Sequence, residues 1–191
     1  MNVISTALPG VLILEPKVFG DARGFFLESY NARVFCEATG LDPVFVQDNH
    51  SHSTRGVLRG LHYQVRQPQG KLVRVTHGRV FDVAVDVRRS SPHFGRWTGV
   101  ELDGDSHRMF WIPPGFAHAF VVLSESVDFM YKATDYYAPE HERCILWNDP
   151  DIAIEWPLAG LGEPLLSEKD RTGRLLKDAE VCDLQDSCPG E

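Results

Sequence analysis

The sequence predicts an all-β chain folded as a barrel or jelly roll, and three observations predict it. From Val11 to Ala133 short apolar or alternating segments recur at about the 8–12-residue interval of sandwiches and barrels. Turns rich in Gly and Pro separate them, among them Gln67-Pro68-Gln69-Gly70, Asp103-Gly104-Asp105 and Pro113-Pro114-Gly115. The first half holds a single convincing helical stripe, Ala32, Val34, Phe35 and Ala38, with Asn31 placed to cap its start and Gly40 to end it.

Taken in order, Val11 to Leu14 is a short apolar strand closed by Pro16. Asp21 to Gly24 is a turn, and Phe25 to Tyr30 a strand that carries Glu28. A further strand begins at Val44–Val46 and runs into Gln47-Asp48-Asn49-His50-Ser51-His52-Ser53, which reads as a loop or as an edge facing a ligand. Val57 to Gln64 and Lys71 to Val75 are the next strands, and His77-Gly78 has the chemistry of a hairpin turn. Val80 to Arg88 alternates most cleanly: Phe81, Val83, Val85 and Val87 share one face, and Val80, Asp82, Ala84 and Asp86 the other. That second face carries two carboxylates into a barrel interior or an interface. Trp97–Leu102, Met109–Ile112, Phe116–Leu123 and Val127–Ala133 complete the strands. Beyond Tyr137 only short apolar pieces remain, with one possible helical turn after Asp170. The expectation is one domain over residues 1–191, with about 178–191 as a flexible tail.

Composition bounds the function. With 191 residues the chain can bury one substantial core. Apolar residues make up 43% and charged residues 24%, the profile of a soluble globular domain. No run of about eighteen apolar residues exists, so no membrane span is expected. The N-terminus lacks the basic and apolar regions of a signal peptide. A net charge of −8 argues against a general nucleic-acid binder, yet leaves room for an anionic small ligand where a few Arg and Lys converge. Cys36, Cys144, Cys182 and Cys188 form neither a CxxC pair nor a zinc spacing, and read as free thiols in a reducing cytoplasm.

Within Val57-Leu58-Arg59-Gly60-Leu61-His62-Tyr63-Gln64 a histidine falls among apolar residues on a predicted buried strand. A lone buried histidine is most often a core residue satisfied by one hydrogen bond. Here Gly56 to Gln64 and Pro113-Pro114-Gly115-Phe116-Ala117-His118 resemble the paired motifs of the cupin superfamily, which implies a jelly-roll barrel. Metal-binding cupins carry His-x-His and a Glu in the first motif and one more His in the second. In this chain Gln64 replaces the second His, and the position near the Glu is Gln69. Two imidazoles with no carboxylate and no third nitrogen make a poor site for a dication, so a metal-free pocket is expected.

The resemblance narrows further on seven segments in register. They are Asp21-Ala22-Arg23-Gly24-Phe25-Phe26-x-Glu28, Gln47-Asp48-Asn49-x-Ser51, Arg59 to Gln64, Gly70-Lys71-Leu72-Val73-Arg74, Phe81 to Asp86, Pro113 to Phe120, and Trp147-Asn148-Asp149-Pro150. Together, across roughly residues 3 to 177, they are similar to the dTDP-4-dehydrorhamnose 3,5-epimerase family. The resemblance implies an isomerase without a cofactor, acting on a dTDP-linked 4-keto-6-deoxyhexose; a single-site epimerase of a related sugar nucleotide is the alternative.

Inverting a carbon beside a ketone needs a base on one face, an acid on the other, and a group to stabilise the enolate. The family likeness implies His62 as base, Asp170 as the carboxylate orienting it, and Tyr131 as proton donor, with Lys71 the candidate for the oxyanion. Read without the family, Asp170 is a surface residue, Tyr131 a core aromatic and Lys71 a solvated strand end. The likeness also implies Arg23, Arg59 and Lys169 at the diphosphate, where arginine's fork matches phosphate oxygens. It implies Phe26, Glu28, Gln47 and Asn49 as base and sugar contacts, His118 as a sugar contact or brace, and Glu142 as a ligand contact, with Glu140 the alternative. Phe81, Val83, Val85 and Phe120 read as core. A homodimer is implied, in which the strand carrying Arg23, Phe26 and Glu28 completes the partner's pocket. No metal, nucleic acid or membrane partner is expected.

Overall fold

The computed structural model describes residues 1–181 and shows two antiparallel sheets packed face to face. The strands are β1 (Asn2–Ser5), β2 (Leu12–Glu15), β3 (Val18–Asp21), β4 (Gly24–Leu27), β5 (Gln47–Thr54), β6 (Leu58–Gln64), β7 (Lys71–His77), β8 (Arg79–Asp86), β9 (Trp97–Asp103), β10 (Met109–Ile112), β11 (Phe116–Val122), β12 (Ser126–Ala133) and β13 (Glu142–Cys144). One sheet has six strands in the order β1-β2-β10-β7-β12-β5, the other five in the order β13-β6-β11-β8-β9. The expected all-β jelly roll is the fold observed. Two helices, α1 (Ala32–Thr39) and α2 (Glu168–Arg171), lie outside the sheets. Asn31 caps α1 by accepting from the Val34 amide, and Gly40 closes it in the left-handed region at φ 73°.

The order of strands along the chain explains the barrel. From β6 to β8 each successive strand belongs to the other sheet, and the same holds from β9 to β13. The turn at His77-Gly78 is therefore not a hairpin. It carries the chain from β7 in one sheet to β8 in the other, where β8 pairs with β11 and β9. Gly78 fits this corner because its φ is 80° and a Cβ there would strike the Ser126 backbone.

The interior between the sheets is filled by Val73, Val75, Val80, Ala84, Phe110, Ile112, Phe120 and Phe129, among others. The opposite face of the five-stranded sheet is also buried. Val83, Val85 and Val87 pack there against Ile145, Ile152, Leu176, Ala179 and Val181, with Phe81 partly buried at the rim. The chain after β13 wraps this face, so both faces of β8 are dry. Ala179 and Val181, at 8% exposure each, belong to this cover rather than to a tail beginning at 178. The remainder of the expected tail, 182–191, lies outside the described residues.

Three strands escaped the sequence reading: β1, β3 and β13. Each is only three or four residues long, too short to show a period. β4 ends at Leu27, so Glu28 follows the strand instead of riding on it. The polar run from Gln47 is a full strand, and it begins after Val44–Val46, which lie outside any strand.

Candidate active site

Side chains of the two sheets and of the chain after β13 enclose a cavity of about 720 Å³. Its walls take side chains from both sheets. Lys71 on β7, Tyr131 on β12, and Gln47 and Asn49 on β5 come from the six-stranded sheet. Arg59 and His62 on β6, His118 on β11 and Glu142 on β13 come from the five-stranded sheet. Leu165 to Ser167, Lys169 and Asp170 close the remaining side. Apolar Phe120 and Phe129 form part of the wall, so the polar groups sit against a dry backing.

Strand geometry dictates these positions. Alternate residues of a strand face one side, so on β12 Phe129 and Tyr131 turn inward while Asp128, Met130 and Lys132 turn out. The same rule explains the polar run of β5. Gln47, Asn49 and Ser51 line the cavity and Asp48 pairs outside with Lys132 at 2.8 Å. His118 lies directly opposite His62 in the β11–β6 pairing. A register shift beside it, between His118 and Phe120, brings β11 hard against Gly60.

His62 and Asp170 are 108 residues apart in sequence and in contact in space. His62 Nε2 lies 2.6 Å from Asp170 Oδ1. Asp170 also accepts from the Gly60 amide at 3.3 Å and from Ser167 Oγ at 2.6 Å, while Ser167 Oγ caps α2 by accepting from the Asp170 amide. Burial works to raise the carboxyl pKa, but the bonds from His62 and Ser167 prevail and hold it at about 2. An ionised carboxylate only accepts, so His62 Nε2 carries the proton and Nδ1 is the ring nitrogen with the free lone pair.

Two further pairs flank this one. His118 Nε2 lies 2.9 Å from Asp82 Oδ1, both buried; burial raises the Asp82 pKa and lowers that of His118. Glu142 accepts from Tyr137 Oη and from Lys169 Nζ, both at 2.9 Å. Burial opposes ionisation of Glu142, yet those two bonds outweigh it and keep its pKa below the usual carboxylate range. Between them, burial drives the Lys71 ammonium down to about 8, with Glu142 and Asp82 resisting. Lys71 Nζ stands 5.7 Å from the Tyr131 ring centre. Burial, then the Glu142 charge, raises the Tyr131 pKa, so the phenol holds its proton at neutral pH.

Ten of the residues expected at the site thus line one cavity. Glu142 is among them, and Glu140 is exposed. Arg59 reaches it with Nε and Nη2 donating to Ser53 Oγ at 3.1 and 3.0 Å. Arg23, Phe26 and Glu28 are elsewhere. Arg23 and Phe26 belong to the β3–β4 hairpin, a separate two-stranded sheet whose Phe26 is 69% exposed, and Glu28 follows it. The sequence reading missed Asp82 as the partner of His118, and Ser167, Tyr137 and Cys144 altogether. One signal was present: Ser167-x-x-Asp170 has the spacing of an N-terminal cap. Tyr137 and Cys144 carry no local signal: Tyr137 is held here from the loop after β12 by Gln47 and Glu142, and Cys144 by the β13–β6 pairing.

The donors do not fit the metal site of cupins. Gln64 is committed to structure: its Nε2 donates to Gln67 O and Tyr136 O, and its Oε1 accepts from the Ala138 amide. His62 and His118 are each held by a carboxylate of their own. The arrangement offers instead a base, a partly buried cation and a protonated phenol around one space, which is the equipment for moving a proton beside a carbonyl.

The chain as a whole is similar to known proteins. Residues 5–178 match the family model described as dTDP-4-dehydrorhamnose 3,5-epimerase. The chain is 63% identical over 180 residues to the Pseudomonas aeruginosa protein of that name, covering 94% of this chain and 98% of the relative. A crystal structure of dTDP-6-deoxy-D-glucose-3,5-epimerase from Legionella pneumophila, in complex with dTDP-4-keto-L-rhamnose, superposes with a TM-score of 0.92 at 53% identity, covering 96% of this chain and 98% of that one. A 3′-monoepimerase from Streptomyces bikiniensis in complex with dTDP-quinovose superposes at 0.87 with 34% identity, over 97% and 94% of the two chains.

Proposed function

The chain belongs to the dTDP-4-dehydrorhamnose 3,5-epimerase family, and from that premise we propose how its cavity divides the chemistry. The reaction is inversion at C3 and C5 of dTDP-4-dehydro-6-deoxy-D-glucose, giving dTDP-4-dehydro-L-rhamnose in dTDP-rhamnose biosynthesis. Both carbons flank the C4 ketone, so one enolate-forming site serves both. The observation that carries the reading is the His62–Asp170 pair at 2.6 Å, set in one wall of a cavity whose opposite wall holds Tyr131 and Lys71.

His62 Nδ1 removes the proton α to the ketone. Asp170 fixes the tautomer and stabilises the imidazolium that forms, as a positioning residue. Negative charge develops on the C4 oxygen, and the Lys71 ammonium, in dry surroundings, stabilises it more than it would in water. Tyr131 returns a proton from the opposite face, which inverts the centre. Arg59 and Lys169 serve the diphosphate, and Gln47, Asn49, His118 and Glu142 the sugar and its neighbours. No step needs a metal or cofactor.

The β3–β4 hairpin supports a second part of the reading. Phe19, Phe25 and Phe26 are 52%, 63% and 69% exposed, and β3 and β4 pair only with one another among the described strands. A two-stranded ribbon is marginal alone, and a rim of exposed phenylalanines fits a second copy of the chain. The protein is proposed to be a homodimer in which Arg23, Phe26 and Glu28 complete the partner's cavity. The free thiols of Cys36 and Cys144 fit a reducing cytoplasm. Among the described residues no helix is long and apolar enough to cross a membrane.

Incubation with the 4-keto sugar nucleotide in D₂O, followed by NMR, tests the function. Deuterium enters C3 and C5, and prior treatment with EDTA leaves the rate intact. Exchange at one carbon alone would make the chain a monoepimerase, and loss of all activity on chelation would overturn the metal-free mechanism.

A further inference from the structure

Behind the base lies a thiol, Cys144, that epimerisation does not use. Cys144 is the cross-strand partner of His62 in the β13–β6 pairing, so the two side chains leave the same face of the sheet. Cys144 Sγ stands 3.9 Å from Asp170 Oδ1, the oxygen that also meets His62 Nε2. One ligand atom from each of His62, Cys144 and Asp170 lies within 4.8 Å of the others. Asp170 is 2% exposed and Cys144 partly buried, while His62 and Asp170 open onto the cavity that gives access.

We infer that His62, Cys144 and Asp170 form a reversible binding site for a thiophilic dication of the Zn²⁺ class, and that filling it switches the enzyme off. Sulfur, imidazole and carboxylate are the donor types that zinc takes, and three protein ligands leave its fourth position to a solvent or substrate oxygen. Zinc bond lengths and tetrahedral angles set donor spacings of about 3.3–3.6 Å. The 3.9 Å sulfur–oxygen distance has to close slightly, the 2.6 Å His62–Asp170 contact to open as its proton leaves, and the His62–Cys144 spacing, within 4.8 Å, to settle into the same range. Charge balances as well: thiolate and carboxylate together neutralise the dication.

The step is balanced. Zn²⁺ binds, the Cys144 thiol releases one proton to solvent, and the Nε2 proton of His62 is replaced by the metal while Nδ1 gains a proton. A coordinated thiol is deprotonated outright even where the surroundings disfavour a free thiolate, as they do here. The consequence follows from the tautomer. At rest Nδ1 has the free lone pair; with metal on Nε2 it becomes an N–H donor and the base is gone. Zinc thus inhibits from behind the histidine, and chelation restores activity.

The test strips the purified chain with EDTA, removes the chelator and titrates with Co²⁺ in the absence of substrate. A thiolate-to-cobalt charge-transfer band that saturates at one equivalent is expected, and in Cys144→Ser it is absent. This arm reads binding without turnover, so it stands whether or not the epimerase assignment holds. In the kinetic arm each protein is compared with its own metal-free rate. Zn²⁺ lowers the wild-type rate about tenfold or more, EDTA reverses it, and Cys144→Ser is at least about tenfold less sensitive. Cys144→Ala replaces Cys144→Ser if the serine variant does not fold. A band missing in the wild type, a band that survives in the variant, or a wild-type rate untouched by Zn²⁺ would each overturn the inference.

Discussion

At the level of single residues the proposed mechanism rests on the His62–Asp170 contact and the environment of Lys71, and each makes a prediction. His62→Ala removes the base and lowers kcat about 10²–10⁴-fold, the contribution of a general base. Asp170→Asn keeps the shape but lets the amide donate to Nε2, which moves the His62 proton to Nδ1; a loss of kcat of about 10²–10⁴-fold is expected with substrate affinity nearly kept. Steady-state kinetics on folded variants decide both. In the proposed mechanism Lys71 sets an alkaline limit. Its folded pKa is lowered to about 8, so the ammonium is present below that pH and lost above it. The rate therefore falls as pH rises through about 8 in the wild type, and Lys71→Met removes that limb from an already slow profile. A wild-type profile flat to pH 10 would remove Lys71 from the oxyanion role. None of these contacts was legible from Asp170 itself: a charged residue in a polar loop carries no sign of a partner 108 positions back. His62 drew notice because a histidine amid apolar strand residues is costly unless paired, but by itself it read as a satisfied core residue, and only the family likeness implied a base.

Among elements, the strands that show a clean period were easy to read, and those that build the site were not. Met109–Ile112 and the alternation of Val80–Arg88 announced themselves because burial selects apolar residues. β5 is polar on both faces, since one lines a cavity for a polar ligand and the other carries Asp48 and His52 outside, so it read equally as loop. The turn at Gly78 looked like a hairpin because turn chemistry is the same whether the chain returns to its own sheet or crosses to the other. Gly60 shows how closely the elements then fit. Its φ is 115°, and an added Cβ would strike the His118 carbonyl and approach Ala119 Cβ to 2.5 Å. Gly60→Ala therefore forces β6 from β11 at the pair that carries His62 and His118. A loss of about 1–3 kcal/mol in urea unfolding is expected, the cost of overpacking, together with a fall in kcat. Unchanged stability would mean that the bulge in β11 can yield.

The scale of the whole molecule decides what the exposed hairpin is for. A hairpin that folds back on its own chain and one that serves a neighbour can have the same sequence, so Arg23, Phe26 and Glu28 could be assigned a ligand role only through family resemblance. In the structure they stand apart from the cavity of their own chain, on the surface richest in exposed phenylalanine. Complementation separates the two arrangements. Arg23→Ala and His62→Ala are each expected to be nearly inactive, and sedimentation to report a dimer for both. When equal amounts are unfolded together and refolded, about half of the dimers are mixed by random pairing of subunits. In a mixed dimer the chain with intact His62 receives the hairpin with intact Arg23, so one of its two cavities is whole. Activity then recovers to about a quarter of the wild-type value, half of the cavities in half of the dimers. If each hairpin served its own chain, every cavity would keep one lesion and mixing would restore nothing. Recovery to about a quarter requires both a dimer and sites completed across it, because neither property alone joins an intact Arg23 to an intact His62.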